Sequence, residues 1–207
     1  MSNLNDKSST ISRSRGRPRE FDMDIALEKA VTVFCERGYH ATSISDLTSA
    51  MGLASGSVYK AFKDKRAVFL AAFDHYKTER DKQLQSAIVQ GKNGRERLHN
   101  ALIFFAESSS DAQGQLGCLV ISGAADLGTF DAEISQRVTG ALTRSETLLK
   151  NLILEGQADS SISPDLNCQN VARLMLCVLQ GMRVIGKTGR CKQDMQAVAD
   201  AALRCLN

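Results

Sequence analysis

Apolar residues along this chain recur at helical spacing, and nowhere does a run alternate apolar and polar as a half-buried strand would. A first stripe is Leu27, Ala30, Val31 and Phe34, with Asp22 or Asp24 placed to cap its start and Gly38 to end it. Thr42–Ser43 open a second helix, where Asp46 lies three residues beyond Ser43 as in a capping box, and Ile44, Leu47, Ala50 and Met51 form its inner face. Gly52 permits a sharp turn into a short third segment carrying Leu53, Val58, Tyr59 and Phe62. Asp64 caps a fourth helix with the stripe Phe69, Ala72, Phe73 and Tyr76.

The rest reads the same way. Leu98, Ala101, Leu102 and Phe105 make one stripe, and a shorter helix is expected from Leu116 to Leu127, flanked by Gly114, Gly117 and Gly128. Ile134, Val138, Ala141, Leu142, Ser145, Leu148, Leu149 and Leu152 mark a long helix ending near Gly156, and Pro164 interrupts the chain before two last helices. The predicted fold is all-α, with a small three-helix head and a larger helical remainder. Three short helices with a glycine turn between the last two suit a helix-turn-helix. The expected divisions are a flexible basic arm over 1–19, a helix-turn-helix domain over 20–66, and a larger helical domain over 67–207.

Composition sharpens this picture. Hydrophobic residues make up 43% of the chain, enough for a proper core, while two prolines and no tryptophan fit a helical protein. The net charge is only +3. Its distribution matters more: residues 1–66 hold eleven Lys/Arg against eight Asp/Glu, and residues 67–207 hold fifteen of each. The positive excess therefore lies in the N-terminal third, where a polyanion is attracted. The six cysteines form no CxxC pair and no metal-ligand spacing with histidine. With no apolar signal segment at the start and no run long enough to span a bilayer, the expectation is a cytoplasmic protein with reduced thiols, without membrane partner, metal or cofactor.

A recognition helix needs small polar and basic side chains on one face and apolar ones on the other. Residues 54–63 divide in that way: Val58 and Phe62, four apart, share the inner face, and Ser55, Ser57, Tyr59 and Lys60 are left outside. Gly56 removes a side chain where backbone can approach DNA, and the amides of Thr42 and Ser43 stand at a helix start, where phosphates bind. The stretch from Ile25 to Phe69, with Phe34, Gly38 and Tyr39, then Ala41-Thr42-Ser43, Gly52-Leu53, Tyr59, Phe62, Lys63 and Lys65, resembles the N-terminal domain of the tetracycline-repressor (TetR) family. That resemblance implies phosphate contacts from Thr42, Tyr59, Lys60 and Lys65, with Ser55 and Ser57 nearest the bases. Thr48 and Ala61 depart from the family pattern, which usually has Ala at the first position and a larger residue at the second. The arm with Arg15 and Arg17 resembles a minor-groove hook; a solubilising tail is the plainer reading.

In the C-terminal part, Val171, Leu174, Met175, Val178, Met182 and Ile185 make an apolar stripe, and Leu176, Cys177 and Leu179 fill much of the remaining face. Such a helix needs cover on both sides, most simply from a second subunit, unless it is an ordinary central core helix. The last helix adds Met195, Val198, Ala199, Ala202 and Leu206. The resemblance implies a four-helix homodimer interface from these two helices, for which Val171, Met175, Val178, Met182, Val198 and Ala202 are the candidates. It also implies an operator of double-stranded DNA and a small-molecule inducer held between the C-terminal helices. Phe104, Phe105, Leu116, Cys118, Ile121, Phe130 and Leu149 are the candidate pocket residues. Gly117-Cys118-Leu119-Val120 resembles an element of one subgroup, which singles out Cys118 as the thiol to test. With no cationic neighbour to assign to it, a buried, inert cysteine is the expectation.

Catalysis finds little support: His40, His75 and His99 lie in separate segments without a nucleophile or metal set, and His75 reads as solvated. The expected function is therefore that of a transcriptional regulator, foremost a repressor that binds a palindromic operator as a homodimer and is released by an inducer. A thiol-sensing repressor and a regulator governed by a protein partner are the alternatives.

Overall fold

A computed structural model describes residues 22–206; the basic arm with Arg15 and Arg17 lies outside the described residues. Among those described there are ten α-helices and no strand: α1 (Met23–Ala41), α2 (Ile44–Met51), α3 (Ser55–Ala61), α4 (Lys65–Ile88), α5 (Gly94–Ser108), α6 (Asp111–Leu116), α7 (Leu119–Ala125), α8 (Ala132–Ala158), α9 (Cys168–Ile185) and α10 (Lys192–Arg204).

Side chains at the helix starts set most of these limits. The Asp22 carboxylate accepts from the amides of Asp24 and Ile25, Asp64 from Ala67, Asn93 from Glu96, Asp131 from Glu133 and Ile134, and Asn167 from Asn170. Each satisfies amides that a helix leaves without an internal acceptor. Ser43 and Asp46 form the reciprocal capping box of α2, and Gly52 closes that helix in the left-handed region (φ 69, ψ 31). Gly38 sits at φ 75, ψ 171 inside α1, so the helix leaves its path there before its last turn.

The expected helix over Leu116–Leu127 is shorter, α7 at Leu119–Ala125, and a separate α6 ends at Leu116. Gly117, at φ 92 and ψ −157, separates α6 from α7, and a Cβ there would come within 2.9 Å of the Lys187 side chain. The positive φ disfavours any residue with a Cβ, while the Lys187 chain end is flexible enough to move aside. Helices α5 and α8 cross closely at glycines: a Cβ on Gly94 would lie 2.1 Å from the Gly156 amide nitrogen.

Buried apolar residues form two clusters. The first joins Phe34 of α1, Leu47 of α2 and Val58 of α3 to Phe69 and Phe73 of α4, then continues into Leu119 of α7 and Ile134 and Val138 of α8. The second packs Leu84 and Ile88 at the far end of α4 with Leu98, Leu102, Leu149, Ile153, Met175, Leu179 and Met195. Core packing therefore does not divide at residue 66, where the sequence suggests a boundary. Helix α4 runs through that position, from the head to the second cluster, over about 36 Å.

Candidate nucleic-acid interface and effector cavity

Helix α3 is held by its inner face. Val58 is fully buried and Phe62, its C-cap, nearly so, while Ser55, Gly56, Ser57, Lys60 and Lys63 face outward and Tyr59 is 55% exposed. A Cβ on Gly56 would meet nothing within 4 Å, so the backbone there is bare toward the outside. The outward face thus offers two hydroxyls, a phenol, two ammonium groups and an uncovered stretch of backbone. A polyanion with hydrogen-bonding groups in a groove is complementary to such a face.

Three other candidate contacts are placed differently. Thr42 is buried, its hydroxyl donating to the Gly38 carbonyl at 2.6 Å and its amide to Tyr39 at 3.4 Å. The Ser43 amide and hydroxyl both donate to the Asp46 carboxylate, at 2.9 and 2.7 Å. These two amides are thus used inside the head, since the capping box that makes α2 consumes the donors a phosphate needs. Lys65 turns inward as well: its ammonium donates to the Tyr39 carbonyl at 2.9 Å and lies 4.4 Å from the centre of the Tyr39 ring, closing the end of α1.

Where head and body meet, Phe130 completes a ring cluster. It contacts Tyr39 at 5.3 Å, Phe69 at 5.7 Å and His40 at 5.8 Å between ring centres, and Phe69 stands edge-on to Phe34 at 5.1 Å. His40 also hydrogen-bonds the Thr129 hydroxyl at 2.7 Å, and Arg66 pairs with Asp131 at 2.6 Å and with Glu133. Phe130, expected in a ligand pocket, is thus part of the joint. Leu116 and Ile121 pack against the same cluster, and Leu149 is buried in the second one.

Phe104, Phe105 and Cys118 do come together, around a cavity of about 40 Å³ between α4, α5, α7, α8 and α9. Tyr76, Arg80, Val120, Ala141 and Arg183 complete its wall, with Lys77 and Asp81 paired to each other at 2.8 Å. Arg183 is 3% exposed and donates to the carbonyls of Ser108 and Gly117, the latter at 2.5 Å. Arg80 donates to the Ser108 hydroxyl at 2.7 Å and lies 4.3 Å over the Phe104 ring. Sequence reasoning missed both arginines and Tyr76 as cavity residues. The available signal was a charged residue, Arg183, inside the apolar stripe of α9.

These neighbours change the expectation for Cys118. Burial alone would raise its thiol, but the adjacent Arg183, the hydroxyl of Tyr76 donating at 3.4 Å and the Ile121 amide outweigh that and hold it below its ordinary value. Cys35, buried without such a cation in contact, is pushed up to about 12 by desolvation first and Cys118 second. His75, expected to be solvated, instead packs on α1 near Asp24 with its Nε2 buried and without a hydrogen bond.

The apolar face of α9 also differs from the expected set. Met175, Met182 and Ala202 are buried in the protomer's own second cluster, so they present no surface to a partner. Val171 and Val178 are half-buried, and Val198 is exposed. The open apolar face is Leu174, Cys177, Val184 and Ile185 of α9 with Val198 of α10, with Leu174 and Val184 each 49% exposed. Among the described residues no group of three or more His, Cys, Asp or Glu could hold a metal ion, and no helix is long and apolar enough to cross a membrane.

Residues 26–72 match the family of bacterial regulatory proteins called tetR, and residues 94–202 match the tetracyclin repressor-like C-terminal domain. The HTH-type transcriptional repressor ComR of Escherichia coli is 27% identical over 96% of this chain and 95% of its own length. A structure of the TetR-family regulator CifR, carrying cysteine substitutions and bound to a 26-base-pair operator duplex, superposes with a TM-score of 0.81. It shares 28% identity over 92% of this chain and all of its own. The regulator FadR of Bacillus subtilis, solved with stearoyl-CoA, shares the fold at a TM-score of 0.69 and 20% identity, over 88% of this chain and 96% of its own.

Proposed function

This chain belongs to the tetR family of bacterial regulatory proteins, and from that premise we propose that it is a cytoplasmic repressor that binds a palindromic operator as a homodimer and lets go when a small molecule enters its larger part. It is a transcriptional regulator and no enzyme. The observation that carries the reading is the division of α3, with Val58 and Phe62 inward and Ser55, Ser57, Tyr59 and Lys60 outward. The relation to CifR, whose structure contains operator DNA, supports the same use of that face.

Two recognition helices reading successive major grooves on one side of a duplex stand about 34–36 Å apart. A dimer built through the exposed apolar face of α9 and α10 supplies the second one. An effector acts by favouring conformers in which that spacing is wrong. Helix α4 is the natural transmitter: Lys65 and Arg66 at its start touch the head and the joint, and Tyr76 and Arg80 line the cavity some four turns on.

The test is binding to the DNA upstream of the protein's own gene, titrated with salt. Saturable binding of one or more dimers to a palindromic site, well above random DNA, is expected. Lys60→Ala should weaken it by about 1–3 kcal/mol and lower the salt slope by about one, and Tyr59→Ala should weaken it with less change in slope. If neither substitution altered affinity, α3 would not be the reading helix.

One observation favours a second trigger, a thiol sensor: Cys118 stands against the Arg183 guanidinium and the Tyr76 hydroxyl. A Cys118→Ser protein separates the two, since a bound effector still releases the operator from it and a thiol-modifying reagent does not.

A further inference from the structure

The cavity between α4, α5, α7, α8 and α9 holds two arginines without a carboxylate partner among the described residues. Of its charged wall residues, Lys77 and Asp81 satisfy each other at 2.8 Å. Arg80 and Arg183 remain, and among the described residues neither is ion-paired with a carboxylate. Their partners are the Ser108 hydroxyl and the Phe104 ring for Arg80 and the Ser108 and Gly117 carbonyls for Arg183, with the Tyr76 hydroxyl and Cys118, whose thiol Arg183 favours in its ionised form, beside it.

Both guanidiniums bond the same residue, Ser108, one at its hydroxyl and one at its carbonyl, so they bracket it from two helices. Two like charges held this close in a largely buried place repel each other and lose hydration. A guanidinium does not escape by losing its proton, because it stays charged in proteins. An anion between or beside them removes the penalty, and each planar fork is shaped to hold a carboxylate through two parallel hydrogen bonds. The rest of the wall is apolar: Phe104, Phe105, Val120 and Ala141.

Size narrows the choice. At about 40 Å³ the cavity has room for roughly three water molecules, taking about 10–15 Å³ for each. A coenzyme thioester or a multi-ring compound exceeds this many times over.

We propose that the effector of this regulator is a short-chain carboxylate, its charged end held by Arg80 and Arg183 beside Ser108 and its few carbons lying on Phe104, Val120 and Ala141. This rests on the reading of the cavity as the effector site. The carboxylate then adds a favourable charge contact that ties α4, through Arg80, to α9, through Arg183. Because α4 also carries the start of the head-to-body joint, occupation of the cavity and orientation of the head are coupled.

The experiment uses the full-length protein, alone in a calorimeter and bound to a labelled operator duplex. Acetate and propionate are titrated against acetamide and propionamide, which match them in shape but carry no charge, at constant ionic strength. The carboxylates should bind at least tenfold more tightly than the amides. Arg80→Gln should lose that preference, and Arg80→Lys should recover part of it. Lys77→Gln removes the same charge at a pair that needs no anion, and it should change carboxylate affinity less than twofold. Arg183→Gln is the weaker probe because Arg183 also holds two carbonyls, so Arg80 carries the decision. Equal binding of acids and amides, or a preference that survives in Arg80→Gln, overturns the carboxylate site. Selective binding that leaves the operator complex intact supports the carboxylate site and overturns the effector reading on which it was placed. Release of the operator by a neutral compound, without carboxylate binding, overturns the proposal and keeps the effector reading.

Discussion

Replacing Phe69 by alanine is expected to lower folding stability by about 3–5 kcal/mol, a large part of the roughly 5–15 kcal/mol that holds a typical domain together. Phe69 is 1% exposed and meets four other rings: Phe34 and Tyr39, both edge-on at 5.1 Å, Phe130 at 5.7 Å and Phe73 at 6.1 Å. Deleting it removes apolar burial, leaves a void whose walls belong to α1, α4 and the turn before α8, and breaks several edge contacts at once. Urea unfolding followed by far-ultraviolet circular dichroism measures the loss. A change below about 1 kcal/mol would mean that the ring cluster collapses around the gap, contrary to the tight packing described.

The second large effect concerns assembly. Leu174→Glu combined with Val184→Glu should turn a dimer into a monomer and weaken operator binding at least 100-fold, which is about 2.7 kcal/mol. Both side chains are 49% exposed in the protomer, so the substitutions leave its own core intact. In such an interface each carboxylate would be buried against apolar partner surface, a desolvation cost that no cation offsets. Sedimentation velocity gives the oligomeric state and urea unfolding checks the fold. A variant that stays dimeric would move the interface away from α9 and α10. A monomer with undiminished operator affinity would show that one recognition helix is enough.

Much of the architecture was legible in the chain because helix periodicity and capping are local. The stripe Leu27, Ala30 and Phe34, the Ser43–Asp46 box and the caps Asp22 and Asp64 each depend on neighbours within four residues, and each sits in the structure where the spacing put it. The exposed face of α3 was legible for the same reason. Gly117 was harder. The sequence marks it as a flank of a helix, but the positive φ by which it divides α6 from α7 shows only in the folded chain. Thr42 and Lys65 have residue types that suit phosphate contacts, and only the fold shows the acceptors they also have within the head, the Gly38 and Tyr39 carbonyls. The dimer face was blurred because α9 is apolar on two sides: composition does not say whether Met175 or Leu174 faces the protomer's own core. The cavity was least legible of all. Arg80, Phe104, Cys118 and Arg183 come from four helices, and only the tertiary fold puts two arginines around Ser108.

The joint at Phe130 bears on how such a protein changes over evolutionary time and under engineering. The outward residues of α3 are exposed, so operator preference can drift by single substitutions at little cost to packing. The head as a whole is not interchangeable in that way. Its aromatic centre is completed by a residue some sixty positions further along, and Arg66 is anchored on Asp131 and Glu133. A chimera cut at residue 66 would join two halves of different cores, whereas one that carries residues 127–134 with the head keeps the inherited fit. Sensors with new specificity are thus more readily obtained by altering surfaces than by shuffling modules.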